Sequence, residues 1–417
     1  MITEQGPARN ERGASRGEIE QATGASKSGE EGADGDHRVA LRATAKEFVR
    51  REVAPYLQDW EDAGTIPREL HLAAAKQGLL GVSFPEEVGG QGGDLLDSVA
   101  MQEAFFEAGA SSGLMAALFT GGIALPHLVN DWATNGSPGS VDRVDRFVRP
   151  TLAGEKIGSL AVTEPGGGSD VAGIRTTARR EGDEYVVNGA KTFITSGIRA
   201  DFVTTAVRTG RPGHAGISLL VVEKDTPGFT VDRALTKMGW HCSDTAELSF
   251  ADARVPATNP VGEENSGFIQ IAEQFVVERI ALAVHAYGIA ARSLTLTADY
   301  ARHRETFGKP LIANQVVRHK LVEMHRQVEV ARTYAWSVAE RHVKGDNVIA
   351  EACLAKQTAV DCATYVCDQA VQLHGGTGYL HGTEVERHYR DARILPIGGG
   401  ANEVLADLAA RLLGYAS

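Results

Sequence analysis

Cysteine is scarce in this chain. The four cysteines, Cys242, Cys353, Cys362 and Cys367, form no C-x-x-C pair and show no zinc-type spacing. No metal site is therefore expected, and the thiols read as buried and free, as in a reducing cytoplasm. Long apolar runs are also missing. No stretch is long enough to span a bilayer, and the N-terminus lacks the apolar core of a signal peptide. Runs of Lys and Arg are absent, and the formal net charge is −12. A nucleic-acid groove needs a basic face, so the balance argues against that role. Large apolar residues are almost missing from Met1 to about Gly35, where Gly, Ser, Glu and Ala dominate. Such a segment buries too little surface to fold, so residues 1–36 are expected to be a disordered tail.

The remainder is rich enough to build cores. A chain of 417 residues, 43% hydrophobic and 23% charged, is too long for one simple core and predicts two or three packed domains. Leu41, Ala45, Phe48 and Val49 recur at helical spacing, and helical runs continue through Leu70–Leu79, Val99–Phe106 and Leu114–Leu128. The character changes near Ile157. Leu160 to Pro165 reads as a strand ending in a turn, Thr176 to Arg180 alternates, and Asn188-Gly189 reads as a two-residue hairpin turn. Strands are expected at Thr192–Thr195, Phe202–Val207, Ile217–Val222 and Ala246–Phe250. From Ser266, a candidate N-cap, helical periodicity returns, with helices near 268–303, 314–342, 347–375 and 401–413. The order α, then β, then α predicts an α+β protein of segregated parts. The expected division is an N-terminal helical domain over 37–156, a middle antiparallel β domain over 157–262 and a C-terminal four-helix-bundle-like domain over 263–417.

Five segments carry candidate chemistry. Val162-Thr-Glu-Pro-Gly-Gly-Gly-Ser-Asp170 combines glycines that let backbone amides approach a ligand with the hydroxyls of Thr163 and Ser169. It is not a dinucleotide fingerprint, because no G-x-G-x-x-G opens a helix in a βαβ unit; alone it reads equally as a turn. Lys191-Thr-Phe-Ile-Thr-Ser-Gly197 sets Phe193 and Thr195 on one face of a strand. In Arg304-Glu-Thr-Phe-Gly-Lys-Pro310, followed by Gln315, Arg304 offers a planar fork suited to a pyrophosphate; the plainer alternative is a helix C-terminus closed by Gly308 and Pro310. The last two are Gln372-Leu-His-Gly-Gly-Thr-Gly378 and Arg390-Asp-Ala-Arg-Ile-Leu-Pro-Ile-Gly-Gly-Gly-Ala-Asn-Glu403, whose three glycines precede a helix.

In that order and at those intervals, the five segments resemble the acyl-CoA dehydrogenase family over about residues 37–417. The resemblance implies FAD as cofactor, an acyl-CoA substrate, an electron-transfer flavoprotein as acceptor and a homotetramer built as a dimer of dimers. It implies flavin neighbours at Leu160, Val162, Thr163, Gly168, Ser169, Phe193 and Thr195. Arg304, Phe307, Gln315, Gln372 and Gly376 match the part that holds the FAD pyrophosphate and adenosine across a subunit contact, and Glu403 matches a position near the cofactor. Ala401 stands where Thr is common, which removes one hydroxyl, and Phe193 stands where Trp is frequent. Substrate contacts are implied at Ser169, Arg279, Gly398 and Gly399.

The chemistry requires one carboxylate, which takes the α proton while the β hydrogen leaves as hydride to flavin N5. Many family members carry this Glu in the loop after Arg-Asp-Ala, where the present chain has Gly399. Members resembling isovaleryl-CoA and long-chain acyl-CoA dehydrogenases carry it on an earlier helix, and the matching residue is Glu278. Ile271, Phe275, Glu278 and Leu282 form one helical stripe, so Glu278 is expected to face inward with a raised pKa. A structural salt bridge with a nearby Arg is the competing reading. By the same resemblance, Gly398 replaces a Tyr found in straight-chain members, which implies tolerance of a methyl branch, and the Gly399 amide is expected to donate to the thioester carbonyl. Two other functions remain open on the same fold: a flavin oxidase or monooxygenase, and a non-enzymatic DNA-binding member, against which the acidic balance argues.

Overall fold

The computed structural model describes residues 33–415. Helix α1 spans Ala33–Phe48, so the first helix begins inside the segment read as a tail; residues 1–32 of that segment lie outside the described residues. Short helices lead to α2, Leu95–Glu107, which opens on a capping box in which Asp94 and Asp97 each accept the other's backbone N–H. The helical run expected over Leu114–Leu128 breaks at Phe119–Thr120 and resumes as two shorter helices.

The middle of the chain is an eight-stranded sheet: β1 Gly158–Ala161, β2 Thr177–Glu181, β3 Glu184–Thr195, β4 Phe202–Arg208, β5 Ile217–Glu223, β6 Phe229–Ala234, β7 Thr245–Pro256 and β8 Pro260–Val261. The order is β6-β7-β3-β2-β4-β5-β8, with β1 added beside β4. The ladders are antiparallel except at β4, which pairs parallel with β1 and at one position with β2, so the expected antiparallel sheet is in fact mixed. Alternation along β4 and β5 divides two cores. Phe202, Ala206, Leu219 and Val221 face the N-terminal helices, while Val203, Val207, Leu220 and Val222 face the other side.

The Asn188-Gly189 hairpin does not form. β3 runs through both residues, and the turn lies at Gly182-Asp183 instead. Asn188 and Gly189 mark a register shift against β7, where Asn188 Nδ2 donates to Asp252 Oδ1 at 3.0 Å and Asn188 Oδ1 accepts from the Asp252 amide at 2.9 Å. A bulge needs the same tolerance of unusual φ as a hairpin, and a β carbon at Gly189 would lie 2.5 Å from Thr176 Oγ1.

The C-terminal part contains α3, Gly267–His303, then a hairpin of β9, Glu305–Thr306, and β10, Lys309–Pro310. It continues with α4 Gln315–Val343, α5 Ile349–His374, α6 Glu384–Ala392 and α7 Asn402–Leu412. α5 turns Ala352, Ala355, Ala359, Ala363 and Ala370 into the helical core, and these small side chains allow close approach to its neighbours. Gly288 on α3 does the same for α2, since a β carbon there would lie 2.4 Å from the Phe106 ring. Buried Glu103 on α2 ties the N- and C-terminal helices together, accepting from Arg332 Nε at 2.7 Å, Tyr287 Oη at 3.0 Å and Trp336 Nε1 at 2.9 Å. Ser266 precedes α3 but does not cap it; its hydroxyl donates to the Glu263 carbonyl. No single described helix is long and apolar enough to cross a membrane.

Candidate active site

The first two sequence segments meet at the end of β1. The Thr192 amide donates to the Thr163 carbonyl at 3.0 Å, and the Ser159 hydroxyl to the Thr195 carbonyl at 2.6 Å. The joint is locked by Lys191, fully buried, whose Nζ donates to Glu164 Oε1 and to the Val162 carbonyl, both at 2.9 Å. Burial pushes the Lys191 pKa down to about 8, against the opposing pull of Glu164. Glu164 also accepts from the Arg175 and Thr176 amides at 2.7 and 2.9 Å. Sequence reasoning passed over this pair, because a Lys and a Glu beside glycines look solvated; Lys191 in fact lies inside β3, on a buried position of the strand.

With this turn fixed, Gly166, Gly167, Gly168 and Ser169 are exposed beside half-buried Leu160, Val162 and Thr163. Phe193 sits in a second bulge of β3, at φ +60°, and is 68% exposed, while Thr195 is half-buried. A large ring held outward in left-handed backbone is strained unless something uses it. An open aromatic face beside free amides and hydroxyls fits an isoalloxazine ring, so the residues present suit a flavin.

The third and fourth segments also converge. Tyr300 near the end of α3 stacks on His374 at the end of α5, with ring centroids 4.3 Å apart, and its hydroxyl donates to the His374 carbonyl at 3.3 Å. The β9–β10 hairpin turns on Phe307 (φ +53°) and Gly308 (φ +76°). The helix closes at His303, so the hairpin replaces the Gly308–Pro310 cap considered from sequence. Arg304, Phe307, Gln315, Gln372 and Gly376 are all exposed, and the Arg304 guanidinium enters no ion pair among the described residues. A free planar cation beside glycines that expose backbone amides suits a pyrophosphate.

The last segment packs back onto α3. A β carbon at Gly399 would lie 3.6 Å from Glu278 Oε1 and 2.3 Å from Leu282 Cδ1. The loop thus passes directly over the inward stripe of α3. Glu278 is half-buried, and burial raises its pKa, opposed by the positive charges of Arg279 and Lys356. Among the described residues it forms neither an ion pair nor a hydrogen bond, so the salt-bridge reading does not hold. Arg279 is buried, its guanidinium 5.7 Å from the Phe275 ring and its Nε without a partner. Gly398 is open, with only the Ile394 carbonyl, at 3.7 Å, near a β carbon there. Glu403 on α7 is exposed and adds a negative charge near Lys356. The Arg-Asp-Ala part of this segment serves as a joint. Asp391, fully buried, accepts from the Trp240 amide at 2.7 Å, while Arg390 pairs with Glu386.

Comparison with known proteins covers most of the chain. Residues 35–135, 159–253 and 265–414 match the N-terminal, middle and C-terminal domain models of acyl-CoA dehydrogenases. The crystal structure of a probable acyl-CoA dehydrogenase from Mycobacterium abscessus superposes with a TM-score of 0.88 at 60% identity, covering 91% of this chain and 99% of that one. The mitochondrial long-chain specific acyl-CoA dehydrogenase of Rattus norvegicus is 38% identical over 89% of this chain and 85% of its own. The mitochondrial isobutyryl-CoA dehydrogenase of Bos taurus is 34% identical over 89% and 88%. The chain belongs to the acyl-CoA dehydrogenase family, FAD-dependent oxidoreductases that act on the CH–CH bond of acyl-CoA thioesters.

Proposed function

We propose that this enzyme dehydrogenates branched or longer acyl-CoA thioesters to the trans-2-enoyl-CoA, with Glu278 as the general base. The observation that carries the reading is Glu278 itself: a carboxylate without an ion pair among the described residues, raised in pKa, beside a glycine loop that has no carboxylate of its own. A raised pKa brings the base closer in strength to a weakly acidic α proton. Arg279 and the Gly399 amide are the candidate donors toward the thioester, and the open Gly398 leaves room beside the β carbon. Ser169, at the exposed glycine turn, is the remaining substrate contact.

FAD, when bound, supplies the acceptor for the hydride that leaves the β carbon. Leu160, Val162, Thr163, Gly168, Ser169, Phe193 and Thr195 would frame the flavin. Arg304, Phe307, Gln315, Gln372, Gly376 and Glu403 would hold the rest of the cofactor across a subunit contact in a homotetramer. An electron-transfer flavoprotein as acceptor, a cytoplasmic location and a division near residues 156 and 262 complete the reading.

The test is to load the protein with FAD and supply 3-methylbutanoyl-CoA, 2-methylpropanoyl-CoA and a straight long-chain acyl-CoA, with an artificial electron acceptor. Mass spectrometry should show loss of two hydrogens. Absence of product from every thioester would contradict the reading, and peroxide formed in air in step with product would make the enzyme an oxidase.

A further inference from the structure

Lys356 lies in the middle of α5 among Ala352, Ala355 and Ala359, and none of it reaches solvent. A buried ammonium is costly unless its donors are used. Here Nζ donates to the Gly400 carbonyl at 2.9 Å and to Asn402 Oδ1 at 3.4 Å. No carboxylate pairs with it among the described residues, so its charge is not neutralised by direct contact. Both acceptors flank the start of α7 and belong to the chain leaving the glycine loop. Gly399 and Gly400 hold left-handed backbone, at φ +64° and +97°. The Lys356 bond is thus a tether from the helical core to the loop that covers Glu278.

We propose that Lys356 is a positioning residue: it fixes the Gly398–Gly400 loop over Glu278 and supplies positive charge that favours the ionised base. The proposal rests on Glu278 being the base. The charged groups around the pair are few. Arg279 on α3 and Lys356 on α5 both act on Glu278; Arg279, Glu278, Cys353 and Glu403 act on Lys356. A positive charge lowers a carboxylate pKa, so removing it should raise that of Glu278 and move the acid limb of turnover upward. Arg279 remains in either case, which limits the shift.

The experiment compares the FAD-loaded full chain with Lys356→Met, Lys356→Arg and Glu278→Gln. Flavin-to-protein ratio and thermal midpoint establish folding. The Met variant should keep its flavin, lose about 10-fold in kcat near neutral pH with a smaller change in KM, and show its acid limb raised by about half a unit to one unit. Lys356→Arg, which keeps the charge, should restore the acid limb. A Met variant with wild-type kcat and acid limb overturns the proposal, as does an equal shift in the Arg variant. Hydrogen exchange at residues 398–402 of the unmodified protein gives a second reading that requires no variant to fold. Burial, with Arg279 adding to it, lowers the Lys356 pKa to about 8. Loop protection, corrected for intrinsic rates, should therefore decline as pH rises through that value, and protection that stays level overturns the tether. Should Glu278→Gln retain turnover, the base assignment fails while the exchange result still reports on the tether.

Discussion

Gly399 and Glu278 face one another: a β carbon on the glycine would stand 3.6 Å from Oε1 of the carboxylate. Two positions 121 residues apart in sequence thus address one small volume, which a carboxylate carried by either segment would reach. The two origins are not interchangeable here. Leu282 fills the space that a side chain at 399 needs, its Cδ1 only 2.3 Å from that β carbon, and the backbone is left-handed. Glu278→Gln combined with Gly399→Glu should remain inactive and lose stability. Adding Leu282→Ala should recover measurable turnover in that background. Recovery without the Leu282 change would show that the loop shifts freely.

Gly398 behaves differently from its neighbour. Its φ lies outside the left-handed region, and only a carbonyl at 3.7 Å approaches its β-carbon position. Gly398→Tyr should fold with an unchanged thermal midpoint, depress activity on 3-methyl-branched thioesters and spare straight chains. Equal loss on both classes would indicate general damage to the site, and no activity of the unmodified enzyme on any branched thioester would remove the basis for the prediction.

Lys191 and Glu164 hold the glycine turn against β3. Lys191→Met leaves a carboxylate that is 10% exposed without its cation, and breaking a buried pair in this way costs about 3–5 kcal/mol. Urea unfolding should register that loss, and the Lys191→Met/Glu164→Gln double variant should regain part of it. A single variant as stable as the parent would mean that the pair contributes nothing to the turn.

Much of this architecture was legible because long helices announce themselves by period. The starts and ends of α3, α4 and α5 fall within two residues of those expected from apolar spacing. α6 was missed for a physical reason. Its buried face contains Arg387, His388 and Asp391 beside Val385 and Ala392, so buried polar groups hide the apolar period. Asn188-Gly189 misled because φ tolerance alone does not distinguish a turn from a bulge; the partner strand decides. In the site, the placement of Glu278 on the side of α3 that meets the glycine loop was readable from its stripe. Lys356 was not, since its burial depends on a carbonyl 44 residues further along the chain.

Asp391 predicts a pH dependence of stability. Burial, and then the neighbouring Glu61 charge, raises its pKa to about 7, well above the ordinary carboxylate range. The folded state therefore binds more protons than the unfolded state across that window. Its contribution to stability is present at low pH, declines as pH rises toward about 7 and is level above that. Asp391→Asn keeps an acceptor for the Trp240 amide and removes the titration, so the thermal midpoint should vary less between about pH 5 and 7. An unchanged slope would place its source elsewhere.

The central claim is that Glu278 removes the α proton. The decisive measurement is turnover of FAD-loaded Glu278→Gln on the best thioester substrate, with flavin content and substrate binding measured alongside and the pH profile of the parent as reference. The account predicts retained FAD, substrate binding close to normal and turnover lower by about 10²–10⁴-fold. In the parent, activity should fall as pH drops through a pKa above the usual carboxylate range, because burial raises that of Glu278. Near-normal turnover in a Glu278→Gln protein that binds FAD and substrate would contradict the account.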